Sequence, residues 1–240
     1  MLLFFTNILF AHVDFPVASE KTILYTENII KNVYMETVDS HKAMQREKRR
    51  KKMQDQNLSA EQALEKLKEG NERYLTAATN PGDISPKIRQ YTCENGQNPY
   101  AIVITCSDSR VIPEAVFSAG IGELFTIRVA GNVMDSHQLG SVEYAAEHLG
   151  TKLAVVLGHT NCGAVGAAID SAPGGFVKYI TDEIKKAIGE EKDGTKASCL
   201  NVQRSVTVIK ENLKEMVEKG ELTVCGAIYH IDNGKVEFLD

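Results

Sequence analysis

Two short clusters of residues in this chain carry side chains that could bind a metal ion and act on a substrate. The first runs from Cys106 to Arg110 (CSDSR), and the second runs from His159 to Cys162 (HTNC). In extended chain, Cys106, Asp108 and Arg110 project to one side, because side chains alternate along a strand. Together the clusters supply two thiolates and one imidazole, which suit Zn²⁺. We therefore predict a zinc site with three protein ligands, whose fourth position is left to water or to Asp108.

The number of ligands favours a catalytic metal over a structural one. A structural zinc takes a fourth Cys or His, and the other cysteines, at 93, 199 and 225, have no ligand-type partner at a suitable spacing. The pattern His159-x-x-Cys162 is weak alone, because a buried Cys also packs as a small hydrophobe. Its pairing with the first cluster carries the prediction. The remaining histidines are predicted to be surface or core residues: His12, His41, His137, His148 and His230.

Each cluster directly follows a predicted buried strand. Residues 101–105 (AIVIT) and 153–157 (LAVVL) are continuously apolar and β-branched, as is typical of strands covered on both faces of a parallel sheet. Residues 124–129 (LFTIRV) predict another strand, and residues 138–149 predict a helix between strands. The fold class is therefore α/β, with a central, mainly parallel sheet flanked by helices. Ligand sites of such sheets lie at the carboxyl ends of strands, where both clusters fall.

The flanking segments predict further elements of the same domain. A capping box predicts a helix over 59–76. After a polar stretch at 189–198, apolar residues at helical spacing predict a helix over 202–217. Alternating residues at 224–231 and 235–239 flank an Asp-Asn-Gly turn and predict a C-terminal β-hairpin.

Residues 1–56 differ in composition from the rest and are predicted to form a partly flexible N-terminal extension, or arm, before a zinc-dependent domain at 57–240. The apolar run Leu2–Ala11 is too short to span a bilayer and has no Lys or Arg before it, so we expect an arm that packs on a neighbour. Export through a signal-like segment is the alternative. The basic run Arg46–Lys52 is interpreted as a solvated charge run.

The net charge and the number of cysteines limit the binding partners and the cellular compartment that we expect. Proteins that bind nucleic acid usually carry a basic face, and the formal net charge of −5 does not favour one here. We therefore predict no nucleic-acid partner. The 240 residues contain an odd number of cysteines, five, which argues against a disulfide framework. Reduced or metal-bound thiols point to a cytoplasmic protein.

The two clusters and their surroundings resemble the paired signature of the beta-class carbonic anhydrases. The signature segments are Cys106–Val111 (CSDSRV), which Pro113-Glu114 follows, and Gly158–Val165 (GHTNCGAV). The similarity extends over about 59–240 and also includes Gly122–Asn132, Gly140–Leu149 and Val224–Leu239. The resemblance implies that family's fold. The segment before residue 59 has no counterpart in the resemblance, and we predict it to be an N-terminal helical arm. The resemblance also implies Cys106, His159 and Cys162 as zinc ligands, with Asp108 and Arg110 as the family's aspartate-arginine dyad.

The activity implied by the resemblance is the reversible hydration of CO₂ to bicarbonate and a proton by zinc-bound hydroxide. Asp108 would act as a gate, because in this family the aspartate either takes the fourth zinc position in a closed state or pairs with the arginine. Arg110 would hold Asp108 ionised and off the metal, so that the carboxylate orients the zinc-bound water. The resemblance also implies a homodimer or homotetramer with active sites at the subunit boundary.

One departure concerns regulation by bicarbonate. Family members with an inhibitory bicarbonate pocket resemble this chain at Arg128 and Tyr144, but they have Trp where this chain has Val103. We therefore predict that this pocket is absent. Two other functions stay open from the sequence: a hydrolase of carbonyl sulfide or carbon disulfide on the same scaffold, and a non-catalytic zinc-binding scaffold protein.

Overall fold

The computed structural model describes residue 44 and residues 57–77, 79–80, 82–170 and 174–239. Within them, five strands form one sheet: β1 (Ala101–Thr105), β2 (Leu124–Arg128), β3 (Leu153–His159), β4 (Thr223–Tyr229) and β5 (Val236–Leu239). The strand order is β2-β1-β3-β4-β5. The first four strands pair in parallel, and β5 pairs antiparallel with β4. The predicted α/β class, the mainly parallel sheet and the C-terminal hairpin are confirmed.

The helices cover both faces of this sheet. They are α1 (Ala60–Thr76), α2 (Pro86–Asn95), α3 (Pro113–Val116), α4 (Ser136–Leu149), α5 (Gly163–Asp170), α6 (Val177–Ile188), α7 (Gly194–Asn212) and α8 (Lys214–Glu218), and a short 3₁₀ turn lies at Ala130–Asn132. Alternate strand residues face opposite layers. On one face Val103 and Val155 pack against Leu67 of α1, and on the other Ile104 and Val156 belong to the cluster that contains Val202 of α7.

The order of the strands creates a crevice between β1 and β3. The chain leaves β1 for β2 on one side and leaves β3 for β4 on the other. Such a reversal separates the connecting loops at the carboxyl ends of the two strands, which is where ligands bind in open α/β sheets. Thr105 is paired with Leu157, and its hydroxyl donates to the Leu157 carbonyl at 2.7 Å. The ends of the two strands are thereby held in register at the crevice.

Strand β3 is longer than the sequence predicts. The predicted strand stops at Leu157, whereas the observed strand continues to His159 through pairing with Tyr229 of β4. Gly158 is needed there for space, since a Cβ atom at that position would lie 2.4 Å from Cγ2 of Val202. His159 is therefore fixed by the sheet rather than by the loop that follows.

Helix α7 also differs from its predicted bounds. The stretch 189–198 is not all loop: Asp193 caps α7, and its carboxylate accepts from the backbone N–H groups of Thr195 and Lys196. The helix ends at Asn212, and α8 follows after Leu213. The helix predicted over 59–76 is confirmed, with Ser59 and Gln62 forming its capping box. The sequence does not predict four helices, α2, α3, α5 and α6.

The extension predicted for residues 1–56 lies almost wholly outside the described residues, as do its apolar run, its basic run and two of the histidines, His12 and His41. The boundary at 56/57 therefore stays a prediction. Among the described helices, none has the length and apolar character needed to cross a membrane.

Candidate active site

Three predicted ligand residues converge at the crevice between β1 and β3. The Sγ atoms of Cys106 and Cys162 and a ring nitrogen of His159 all lie within 4.8 Å of one another. All three residues are buried, with exposed fractions of 5%, 6% and 1% for Cys106, Cys162 and His159. In the described part of the chain, no other set of three His, Cys, Asp or Glu side chains is grouped in this way.

The imidazole of His159 is oriented for a metal. Its Nδ1 lies 2.9 Å from the carbonyl oxygen of Thr160, so Nδ1 carries the proton in that contact. Its Nε2 is buried and has no hydrogen-bond partner among the described residues. A buried ring nitrogen without a partner is costly unless it binds something, and a backbone carbonyl on the other nitrogen is the usual support of a metal-binding His.

The contact between the Cys106 and Cys162 sulfurs shifts the pKa values of the two thiols in opposite directions. The Cys162 thiol donates towards Cys106 and lowers the pKa of the Cys106 thiol, although burial opposes this ionisation. The same contact, together with burial, raises the pKa of Cys162. Two buried sulfurs cannot both ionise side by side without a compensating charge. A divalent cation bound by both would displace the remaining proton, so the donor set fits Zn²⁺.

A backbone amide also contacts one ligand sulfur. The N–H of Gly131, in the 3₁₀ turn after β2, donates to Cys106 Sγ at 3.2 Å. Gly131 has a φ of +68°, and a Cβ there would lie 2.7 Å from Cδ1 of Ile184 and 3.1 Å from Cβ of Ala164. The sequence alone is consistent with Gly131 serving only in a tight turn. The family resemblance places it near the site but does not indicate this contact.

Asp108 and Arg110 form a bidentate pair at the edge of the three ligands. Arg110 Nε donates to Asp108 Oδ1 at 2.9 Å, and Nη2 donates to Oδ2 at 2.7 Å. The backbone N–H of Arg110 adds a third bond to Oδ1, at 3.0 Å. The Arg110 guanidinium holds the pKa of the Asp108 carboxyl well below its usual range, although partial burial opposes this. In this conformation Asp108 is paired with Arg110 and is not among the grouped metal ligands.

The pair is formed by a turn rather than by extended chain. The backbone N–H of Val111 donates to the carbonyl of Asp108 at 3.0 Å, so the chain folds back after Asp108. The predicted one-sided projection of Cys106, Asp108 and Arg110 is therefore replaced by this turn. Arg110 also reaches the second cluster, because its Nη2 donates to the Asn161 carbonyl at 3.2 Å.

Arg128, at the end of β2, fixes the backbone of the first cluster. Its Nη2 donates to the carbonyl of Asp108 at 2.7 Å, and its Nε donates to the carbonyl of Cys106 at 3.2 Å. Sequence reasoning associated Arg128 with a bicarbonate pocket and missed this contact. The register of β2 against β1, which pairs Arg128 with Thr105, explains it.

The other candidate residues lie apart from the three ligands. His137 is exposed, and His148 lies beside Tyr144 with ring centroids 5.1 Å apart and ring planes tilted by 53°. His230 contacts Glu237 at 3.3 Å. Cys93, Cys199 and Cys225 are free thiols. None of these side chains belongs to the metal-ligand group, as the sequence predicts for the described residues.

Comparison with known proteins identifies the family of this chain. The model of the family described as carbonic anhydrase matches residues 101–236. Carbonic anhydrase 2 of Mycobacterium tuberculosis is 34% identical over 192 residues, covering 74% of this chain and 92% of that protein. The carbonic anhydrase of Mycolicibacterium smegmatis is 36% identical over 193 residues, covering 73% of this chain and 91% of that protein.

Two solved structures with a similar fold are described as β-carbonic anhydrases. The β-carbonic anhydrase CafA of Aspergillus fumigatus is similar with a TM-score of 0.59 and 28% identity, covering 65% of this chain and 81% of that one. One of two tetrameric β-carbonic anhydrases of Sordaria macrospora is similar with a TM-score of 0.59 and 25% identity, and the match covers 65% of this chain and 87% of that one. The chain belongs to the carbonic anhydrase family, and within it to the beta class.

Proposed function

We propose that this protein is a zinc-dependent carbonic anhydrase, a lyase that reversibly hydrates CO₂ to bicarbonate and a proton. The observation that carries the proposal is the placement of three zinc-type ligand atoms, within 4.8 Å of one another, beside the Asp108–Arg110 pair. Family membership and the names of the related proteins support it.

Cys106, His159 and Cys162 would hold the metal, and a bound Zn²⁺ would supply a Lewis acid that makes water nucleophilic near neutral pH. The protein's own groups prepare the rest of the site. Thr160 fixes the tautomer of His159 through its carbonyl, and Gly131 donates to the Cys106 sulfur. These contacts hold the ligands in place before the metal binds.

Asp108 would orient the attacking water. Both carboxylate oxygens are held by Arg110, so the carboxylate stays charged and fixed while it accepts a hydrogen bond from that water. The water's lone pair would then face the carbon of CO₂. Release of Arg110 would free Asp108 to become a fourth metal ligand, so the pair would also act as a gate.

The test is CO₂ hydration measured by stopped flow with a pH indicator. The zinc-loaded native protein is expected to hydrate CO₂, and Asp108→Asn is expected to keep zinc but lose roughly 10²-fold in rate, because the amide cannot replace the charged acceptor. The matched control is Glu211→Gln, which neutralises an exposed carboxylate on α7 and is expected to leave the rate unchanged.

The alternatives give different results in the same experiment. Release of sulfide from carbonyl sulfide, without CO₂ hydration, would favour the hydrolase. Zinc binding with neither activity would favour the non-catalytic scaffold and would contradict the proposal.

We also propose a homodimer or homotetramer in the cytoplasm. The tetrameric description of the Sordaria macrospora relatives supports the assembly, and the free thiols of Cys93, Cys199 and Cys225 support a reducing compartment. Light scattering on the full chain tests the assembly: a monomeric mass would contradict it.

A further inference from the structure

Two polar side chains of α7 are buried against the turn that contacts the metal ligands. Asn201 and Ser205 have exposed fractions of 2% and 3%, and they lie one helical turn apart, on the same face of the helix. Polar side chains buried this deeply need hydrogen-bond partners. Both have their partner in the 3₁₀ turn at Ala130–Asn132.

The two side chains hold successive carbonyl groups of that turn. Asn201 Nδ2 donates to the carbonyl of Gly131 at 2.7 Å, and Ser205 Oγ donates to the carbonyl of Asn132 at 3.0 Å. Gly131 and Asn132 both have positive φ angles, +68° and +44°. Since a non-glycine residue rarely adopts this conformation, the turn depends on outside contacts to keep it.

Gly131 is therefore held from two sides. Its carbonyl accepts from Asn201, and its own N–H donates to Cys106 Sγ at 3.2 Å. These two groups lie in adjacent peptide planes that are joined at the Gly131 Cα, so the bond from Asn201 fixes one plane and restricts the φ and ψ rotations by which the N–H could turn away from the sulfur. A hydrogen bond to a ligand sulfur withdraws charge from it and tunes the metal it binds.

We propose that Asn201 is a positioning residue for the metal site, which aims the Gly131 N–H at the Cys106 sulfur and so sets the charge that this sulfur donates to the metal. The inference rests on the proposed zinc site, and it assigns to α7, far along the chain from both ligand clusters, a part in tuning it. Asn201 touches neither metal nor substrate.

The test combines metal affinity with the spectrum of the Co²⁺-substituted protein. Asn201→Ala and Asn201→Leu both remove the donor, and the second keeps the side chain branched at Cγ so that no cavity is left. We expect zinc affinity, measured by competition with a chelator, to fall about tenfold, at the lower end of the 10- to 100-fold typical of groups that support a ligand. We also expect the sulfur-to-cobalt charge-transfer band to move to longer wavelength, because the sulfur becomes more electron-rich.

Ser198→Ala is the matched control. Ser198 is equally buried on α7, with an exposed fraction of 2%, but its hydroxyl donates within its own helix, to the carbonyl of Gly194 at 2.8 Å. Its loss should lower stability without moving the band, and zinc affinity should stay within about twofold, since no contact to the turn is lost.

The outcomes separate this inference from the proposed function. A native protein that binds no zinc and shows no sulfur-to-cobalt band would contradict both. A native protein with the band, and Asn201 variants that are folded by circular dichroism with an unshifted band and native zinc affinity, would overturn the role of Asn201 alone. A shift in both Asn201 variants but not in Ser198→Ala would support it.

Discussion

Replacing Gly131 by Ala should disturb both the stability of the fold and the metal site. The new Cβ would lie 2.7 Å from Cδ1 of Ile184, which is completely buried and cannot turn into solvent. Overpacking of this kind costs about 1 to 3 kcal/mol. The φ of +68° adds about 1 to 2 kcal/mol for a residue with a Cβ. We therefore expect Gly131→Ala to lower the free energy of unfolding by roughly 2 to 5 kcal/mol.

Urea unfolding with and without zinc measures both effects. A ligand that binds only the folded protein raises its stability by an amount that depends on the binding affinity. The gain on adding zinc should be smaller for Gly131→Ala than for the native protein, because relieving the clash moves the N–H away from Cys106 Sγ.

Two further variants test whether the clash with Ile184 and the positive φ of Gly131 cause the loss of stability. At Gly140, on an open face of α4, a Cβ meets nothing within 4 Å, so Gly140→Ala should stabilise by about 0.5 to 1 kcal/mol. Ile184→Val removes the clashing Cδ1 atom. As a single substitution it should cost about 0.5 to 1.5 kcal/mol of stability. In the double variant with Gly131→Ala, it should cost less than this or restore stability. Equal effects of Gly131→Ala and Gly140→Ala would refute the account of this turn.

Two predictions concern other parts of the site. Gly158→Ala should lower the urea midpoint, because its Cβ would lie 2.4 Å from Cγ2 of Val202. The expected loss in the free energy of unfolding is about 1 to 3 kcal/mol. An unchanged midpoint would show that α7 moves aside freely. High bicarbonate near neutral pH should cause no cooperative loss of activity. Val103 is fully buried in β1 where the inhibitory pocket has Trp, and the guanidinium of Arg128 is bound to backbone carbonyls. Cooperative inhibition would contradict this.

The sequence predicts the site well where ligands follow buried strands. The β-branched run at 101–105 predicts β1 at its observed bounds, and Cys106 follows it directly. His159 and Cys162 join it because parallel strands end at one edge of a sheet. These inferences need only local patterns and the topology of the α/β class.

The supporting contacts could not be predicted in this way, because they join distant segments. Asn201 and Gly131 are 70 residues apart, and nothing in the local pattern of a helical Asn indicates that it faces a turn. Arg128 reaches the first cluster only through the register of β2 on β1. The extra length of β3 has the same origin: Gly158 and His159 join the strand by pairing with β4, and the space that Gly158 needs appears only when α7 packs on the sheet.

The most direct test of the central claim is X-ray absorption at the zinc edge of the metal-loaded native protein. The claim is that Cys106, His159 and Cys162 hold one catalytic zinc and leave one position open. We predict two sulfur neighbours at about 2.3 Å and two nitrogen or oxygen neighbours at about 2.0 to 2.2 Å. Cys162→Ser should remove one sulfur. Three or more sulfur neighbours in the native protein, or an unchanged spectrum in Cys162→Ser, would contradict the claim.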